Sequence, residues 1–427
     1  MRMNKKEKTA LVPRLRFPEF RSTGEWKIST LSNLASKITV RNQDNLIKRV
    51  LTNSAVEGVV DQSDYFDREV ANQDNLENYF VIDEGDYVYN PRISVTAPVG
   101  PISKNKVGRG VMSPLYTVFR FENPNNDFYE QYFKTNLWHP YLKSVSNTGA
   151  RHDRMSISNG SFMKMPLPYP SEGEEQKIAD CLSSLDDLIT AEDKKLETLK
   201  LHKKGLMQKL FPVDGETVPE WRFPEFRGSE EWEENTFKSF IKLYRGSSPR
   251  PIQNYLTKNN GVNWIKIGDT KSSEGFKICS VGEQITHEGA EKSRFVSSGE
   301  LILANSMSYG KTYEIEISGC IYDGWFVLRE YEEYFSKNFL LQQLNSDSLQ
   351  KQYSSLSAGG VVQNISSDIV YATILKRPRM EEQQRIAEFL SSIDDLITAQ
   401  TQKVETLKIH KKGLMQGLFP SIGQVGE

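Results

Sequence analysis

The sequence predicts an α+β fold: two domains joined by two long antiparallel coiled-coil helices, related by an internal pseudo-two-fold repeat. Three observations predict it. Residues 174–212 align with 382–420 without a gap, and 28 of the 39 positions are identical. A shorter match precedes each half, "VPRLRFPEFRSTGEW" at 12–26 and "VPEWRFPEFRGSEEW" at 218–232. The segments between these repeats barely resemble each other, yet each has the length of one domain. The chain therefore divides into a first domain at 1–173, a helix at 174–212, a second domain at 213–381, a helix at 382–420 and a tail at 421–427.

The repeated stretch has the spacing of a coiled-coil seam. Ile178, Leu182, Leu185, Ile189, Leu196, Leu199, Leu206 and Leu210 recur on alternating three- and four-residue steps. Ile386, Leu390, Ile393, Ile397, Val404, Leu407, Leu414 and Leu418 repeat that seam in the second copy. Both copies interrupt it with polar residues at matching sites, Glu192 with Gln400 and Lys203 with Lys411. A polar seam residue costs stability and fixes register. Pro212 and Pro420 end the helices. About 37 residues at 1.5 Å each make a helix of roughly 55 Å. The simplest packing lays the two side by side and antiparallel, each covering the other's apolar stripe, with a domain at each end. Burial alone would not require the polar residues of "HKKGLMQ" to be copied as well. Their repetition predicts two equivalent surfaces for two copies of one partner. The candidates are His202, Lys203, Lys204 and Gln208, and His410, Lys411, Lys412 and Gln416.

Between the helices the pattern is mixed. "NYFVIDEGDYVYN" (78–90) has strand-like alternation with a Glu-Gly-Asp turn, "GVMSPLYTVFRF" (110–121) reads as a strand, and "DFYEQYFKTNLWHPYLKSV" (127–145) has the helical spacing of a core-forming aromatic face. In the second domain "GVNWIKIGD" (261–269), "GELILAN" (299–305) and "CIYDGWFVLRE" (320–330) read as strands, and "KNFLLQQLNSDSLQKQY" (337–353) as a helix. Each domain closes on a Ser- and Gly-rich stretch, at 146–162 and at 354–370.

Composition narrows the class without naming a function. With 427 residues, 54 basic and 56 acidic side chains, the chain carries a net charge of −2. Its hydrophobic and charged fractions are those of a folded globular protein. No apolar run approaches the ~20 residues of a membrane span, so no membrane role is expected. The opening "MRMNKKEKTA" lacks the apolar stretch of a secretory signal. Cys181, Cys279 and Cys320 are odd in number and show no CxxC spacing, which argues against a disulfide framework or a zinc site. A reducing, cytoplasmic location is expected. Near-neutral charge means that any nucleic-acid contact must come from local basic patches, or from partners that supply charge.

Candidate catalytic motifs fail on inspection. "NSMSYGKT" (305–312) ends like a phosphate-binding loop, but Asn305 replaces its first glycine and a strand pattern follows in place of a helix. "YNPRI" (89–93) has only a faint likeness to the Asn-Pro-Pro-Tyr of adenine methyltransferases and lacks a glycine-rich turn for the methyl donor. His139, His152, His202, His287 and His410 have no metal-ligand spacing. No catalytic or metal residues are assigned. What remains is a set of polar, basic loops whose side chains can read base edges or hold phosphates. In the first domain these are Asn90, Arg92, Ser94, Lys104, Lys106, Arg109, Arg151, His152 and Arg154. In the second they are Arg245, Ser247, Arg250, Gln253, Asn305, Ser308, Tyr309 and Lys311.

Taken together, the chain resembles the DNA-specificity subunit of a type I restriction-modification system. The resemblance rests on "RFPEF" before each domain, on "EEQKIADCLSSLDDLI" and "EQQRIAEFLSSIDDLI" opening the helices, and on "KKGLMQKLF" and "KKGLMQGLF" closing them. "GDYVYN", "GVMSPLYTVF" and "RGSSPRP…YL…GVNWIKIGD" resemble segments of that family's target-recognition domains. The resemblance implies a non-catalytic subunit in which each target-recognition domain reads one half of an asymmetric, bipartite site on double-stranded DNA. Half-sites read from one face of the duplex would lie about 34 Å apart. It also implies helices that act as spacer and docking surface for two adenine methyltransferase subunits, and through them for restriction/translocase subunits. No cofactor would belong to this chain. S-adenosylmethionine would come with the methyltransferase, and ATP and magnesium with the restriction partner. A methylation-only system fits the same residues. A restriction endonuclease with its own catalytic site and a purely structural coiled-coil adaptor are the competing readings.

Overall fold

The computed structural model describes residues 11–65, 76–146, 153–272, 275–306, 310–356 and 365–422. The chain forms two units, Met1–Thr190 with Glu405–Glu427, and Ala191–Val404. Each long helix begins in one unit and ends in the other. The helices span Glu172–Leu210 and Met380–Leu418, 39 residues each. They start and stop two residues earlier than the repeat boundaries. A residue preceding proline is disfavoured in helical geometry, so Phe211 and Phe419 leave the helix ahead of Pro212 and Pro420.

In the first unit, Lys27–Thr30 pairs antiparallel with Pro166–Tyr169 and closes the domain just before the first long helix. One four-stranded sheet runs in the order Ala35–Lys37, Thr117–Phe121, Tyr87–Tyr89, Ile102–Lys104. The other runs Gly58–Asp61, Val50–Ser54, Gly110–Met112, Phe80–Ile82, with one parallel pair between Val50–Ser54 and Gly110–Met112. Helices Asp127–Phe133 and His139–Val145 cover the core. Trp26, Tyr87, Phe119, Phe128, Tyr132 and Trp138 are buried there with Ile178 and Leu182 of the first long helix and Leu418 of the second.

The second unit repeats this order. Glu233–Thr236 pairs with Ile374–Arg377. Two five-stranded sheets follow: Lys242–Arg245, Trp325–Arg329, Leu301–Ala304, Thr312–Ile315, Lys277–Ile278; and Leu256–Thr257, Glu283–Ile285, Val262–Ile265, Gly319–Ile321, Arg294–Val296. Trp232, Phe237, Phe326, Phe335 and Phe339 bury against Leu210, Ile386 and Leu390.

Several stretches that read as single elements are broken. The 110–121 strand is two strands in different sheets, because Pro114 cannot donate to a ladder and a turn closes from Tyr116 N–H to Ser113 O. The 320–330 strand breaks in the same way at 322–324, where Asp323-Gly324 makes the turn. The 127–145 and 337–353 helices are each two helices, Lys337–Leu344 and Asp347–Leu356 in the second unit. The aromatics of 127–145 are core, as their spacing predicts.

The "RFPEF" motif anchors each long helix by its first turn. Arg16 donates twice to Glu174, with Nε and Nη2 each 2.7 Å from a carboxylate oxygen, and to Gly24 O. Arg222 repeats the clamp on Glu382 at 2.8 and 2.6 Å, and donates to Ser229 O and Glu230 O. Both pairs are almost wholly removed from water. The neighbouring contacts are copied too: Lys177 over the Phe17 ring and toward Glu19, Arg385 over the Phe223 ring and toward Glu225.

The seam residues are all buried or half-buried, and their polar interruptions are paired. In the second unit Lys203 Nζ lies 2.6 Å from Asp394, which also accepts from Gln342 Nε2 at 2.7 Å. In the first unit Lys411 pairs with Asp186, which accepts from Gln131 Nε2 at 3.0 Å. Gln400 donates to Glu192 at 2.7 Å, and Lys403 pairs with the same carboxylate. As residue numbers rise from 192 to 203 along the first helix, those of its partners fall from 400 to 394, which fixes the antiparallel sense.

Glu175 is 5% exposed and accepts from the Tyr129 hydroxyl at 3.2 Å. Its repeat counterpart is the neutral Gln383, which donates to Tyr334 O and Pro378 O. Burial pushes the Glu175 carboxyl from the ordinary 4.5 up to about 7, outweighing the Tyr129 bond.

Two outcomes are expected. Arg222→Ala strands a buried Glu382 and costs about 3–5 kcal/mol, whereas replacing both partners with apolar residues costs far less. Urea unfolding of the full chain measures both, and a loss below about 1 kcal/mol for the single variant would contradict the clamp. For Glu175, the folded state holds a proton that the unfolded state releases between pH 4.5 and about 7. Stability from this group is therefore present at low pH and lost as pH rises through that window. Glu175→Gln removes this dependence and raises Tm above pH 7; an unchanged difference between the two proteins from pH 5 to 8 would refute the buried proton.

Candidate nucleic-acid interface

In the first domain the structure gathers Asn90, Arg92, Ser94 and Arg154 at one end of the sheets. Asn90 ends the Tyr87–Tyr89 strand; its Nδ2 donates to Asn53 O and its Oδ1 accepts from Arg92 N–H, both at 3.0 Å. Residues 91–93 and 153–155 run antiparallel, bonded from Ile93 N–H to Asp153 O and from Met155 N–H to Pro91 O, which brings Arg154 beside Arg92. Ser94 caps the next turn by accepting from Ala97 N–H. Gly100 is required here: its φ is +80°, and a Cβ would lie 2.0 Å from Asn90 O.

Lys104, Lys106 and Arg109 do not join this group. The loop from 91 to 110 is not one basic surface, because the Ile102–Lys104 strand carries the chain to the opposite end of the sheet, where Lys104 sits across from Tyr87. There Lys104 pairs with Asp127 at 2.6 Å, Lys106 with Glu130 at 2.8 Å, and Arg109 stands 3.7 Å from Asp83. Arg151, His152, Ser308 and Tyr309 lie outside the described residues.

In the second domain the corresponding end is organised by Asp323, which sequence reasoning missed. Its carboxylate accepts from Ser248 Oγ at 2.6 Å and pairs with Arg250 Nη2 at 3.3 Å. Its carbonyl accepts from Arg245 Nε and from Asn305 Nδ2. The Ser248 bond foremost, with the charges of Arg250 and Arg245, holds the carboxyl below the usual carboxylate range. Ser247 donates to Lys292 O. Gln253 is exposed, and Lys311 is half-buried where its carbonyl accepts from Ala304 N–H. The Asp-Gly pair between two apolar runs is a turn signal, and it was the available clue to Asp323. The strand Thr312–Ile315 after residue 311 removes the phosphate-loop reading.

Lys203 and Lys411 do not belong to an exposed docking surface, since both are under 10% exposed and spent on Asp394 and Asp186. His202, Gln208, His410, Lys412 and Gln416 are exposed; Lys204 is exposed and paired with Asp347 at 3.0 Å. The helices expose apolar side chains at repeat-equivalent positions as well, Leu188 with Leu396 and Leu201 with Ile409. Among the described residues no cluster of His, Cys, Asp and Glu could hold a metal ion, and no helix is long and apolar enough to cross a membrane.

Comparison with known proteins agrees with this organisation. The family model for the type I restriction modification DNA specificity domain matches twice, at residues 24–201 and 229–408. The type I restriction enzyme MjaVIII specificity subunit of Methanocaldococcus jannaschii is 26% identical over 329 residues, covering 73% of this chain and 74% of that protein. The EcoR124I/EcoR124II specificity subunit of Escherichia coli is 24% identical over 273 residues, 59% of this chain and 60% of that one. The crystal structure of the type I S subunit from M. genitalium superposes with a TM-score of 0.59 at 13% identity, over 96% of this chain and all of that one. A chain from a structural study of type I complex assembly and conformational transition gives 0.57 at 16% identity, over 92% and 97%. With its family domain present twice, each copy ending in one of the two repeated helices, the chain belongs to the type I restriction-modification DNA specificity family and is a non-catalytic DNA-recognition subunit.

Proposed function

We propose that the chain recognises an asymmetric, bipartite sequence in double-stranded DNA, one half-site per domain, and docks two adenine methyltransferase subunits through its repeated helices. The observation that carries this reading is a contrast. The long helices keep most of their exposed residues across the repeat, including Leu188 with Leu396, and where Leu201 changes it becomes the similarly exposed aliphatic Ile409. The loops at the ends of the two domains share almost none of theirs. Copied surfaces suit two copies of one partner, and divergent loops suit two different base sequences. Tethering the two readers makes the second binding event intramolecular, so modest half-site affinities multiply. In this reading the methyltransferases bring S-adenosylmethionine and flip the target adenine. Restriction/translocase subunits that use ATP and magnesium attach through them, and the complex works in the cytoplasm.

Single-molecule sequencing of modified bases in host DNA, with and without the gene, tests the reading. An adenine-methylated two-part motif that disappears on deletion is expected, and an unchanged methylation pattern would sink the proposal. Asp323→Ala releases Ser248 and Arg250 together, so one half-site should become degenerate while the other stays intact. Leu201→Asp should reduce the methyltransferases bound per chain from two to one by native mass spectrometry, and Leu201→Asp with Ile409→Asp should abolish binding. Retention of two subunits by the double variant would remove these positions from the interface.

A further inference from the structure

Three turns leave the same end of the first domain's sheets. Leu51 and Met112 lie in parallel register, so the turn after Ser54 and the turn after Met112 emerge together. Tyr89 sits opposite Thr117, which brings the segment after Asn90 to that end too. The Val50–Ser54 strand ties the other two segments to its own turn. The Thr52 and Tyr116 hydroxyls meet at 3.2 Å, Asn90 donates to Asn53 O, and Asn53 Nδ2 donates to Val88 O at 2.7 Å.

Each turn carries an outward aliphatic side chain: Val56 is 78% exposed, Val95 101% and Leu115 59%. Single exposed aliphatics are common. Three on three linked turns, beside Asn90, Arg92 and Arg154, make a local surface of mixed character. The second domain differs at the matching place: its turn at 322–324 presents Asp323 with Arg250 and Ser248, where the first presents Leu115. The major groove offers one apolar feature, the 5-methyl group of thymine, and aliphatic side chains are its natural contact. Guanine and cytosine present only donors and acceptors there, which suit arginine and aspartate.

Building on the DNA-recognition reading, we infer that Val56, Val95 and Leu115 read thymine methyl groups, so that the first domain's half-site is recognised by apolar contact and the second domain's by charged hydrogen bonding. A protein seated on this tip is the competing occupant, and DNA is favoured because the same loops present Asn90 and two arginines.

The test uses the full chain with its methyltransferase subunits and duplexes carrying the methylation motif. All thymines of one half-site at a time are replaced by uracil, which keeps base pairing and deletes only the methyl group. Binding should weaken about fourfold per contacted thymine in one half-site, and stay within twofold for the other. A Val56→Ser, Val95→Ser, Leu115→Ser variant, which alters only exposed positions, should bind thymine and uracil duplexes equally; its melting temperature checks that it folds. No discrimination in either half-site, or discrimination that survives in the triple variant, overturns the inference while leaving sequence-specific binding in place. Failure to bind the motif duplex over a scrambled one overturns the DNA-recognition reading and this inference with it.

Discussion

A lysine on an apolar helix seam must find an anion or unfold the seam, and this chain meets that demand twice with the same three residues. Lys203, Asp394 and Gln342 in one unit match Lys411, Asp186 and Gln131 in the other. The lysine and aspartate come from opposite helices, and the glutamine comes from the domain. Breaking such a buried pair leaves an uncompensated charge, so the triad admits one register of helix against helix and one placement of the domain helix upon them. A seam of leucines alone would tolerate slippage by a heptad. Glu192 and Gln400, counterparts in the repeat, meet each other directly.

The arginine clamps apply the same logic at the start of each helix. Arg16 and Arg222 neutralise a glutamate in the first helical turn, where the helix dipole already favours negative charge, and fix the chain's entry into the helix. Scaffold positions thus carry paired charge, while the loop-bearing ends of the domains carry different chemistry in each copy. Repetition of structure with divergence of surface is possible because the domains' shared order depends on buried pattern. The Asp86–Arg120 and Glu300–Arg329 pairs join corresponding places, the acid just ahead of one strand and the arginine within its neighbour, in sequences that otherwise barely align.

Glu175 shows how far the repeat can drift. Its counterpart Gln383 makes neutral hydrogen bonds with both ends of its amide, whereas Glu175 keeps the same place with one donor from Tyr129. One copy is satisfied at every pH, and the other carries a proton that depends on it.

Much of the architecture was legible in the sequence. Periodicity and near-identity fixed the two helices, their seam and their polar interruptions, because a coiled-coil seam is a local pattern and duplication exposes it twice. The division of the remainder into two mixed domains followed from the repeat spacing. Pro114 and the Asp323-Gly324 pair signalled the breaks at Ser113–Tyr116 and 322–324, but the change of sheet at each was not legible, since an apolar run reads the same whether it stays in one sheet or crosses to another. Nor was the partition of the basic residues. Lys104, Lys106 and Arg109 share a loop sequence with Arg92, yet strand pairing sends them to the far end of the sheet and into ion pairs. Lys203 and Lys411 looked like surface until the helix opposite supplied an aspartate. The sequence by itself determined what repeats, because repetition is written residue by residue. Which side chains meet was decided only by the tertiary structure, because pairing across sheets and helices joins residues tens to hundreds of positions apart.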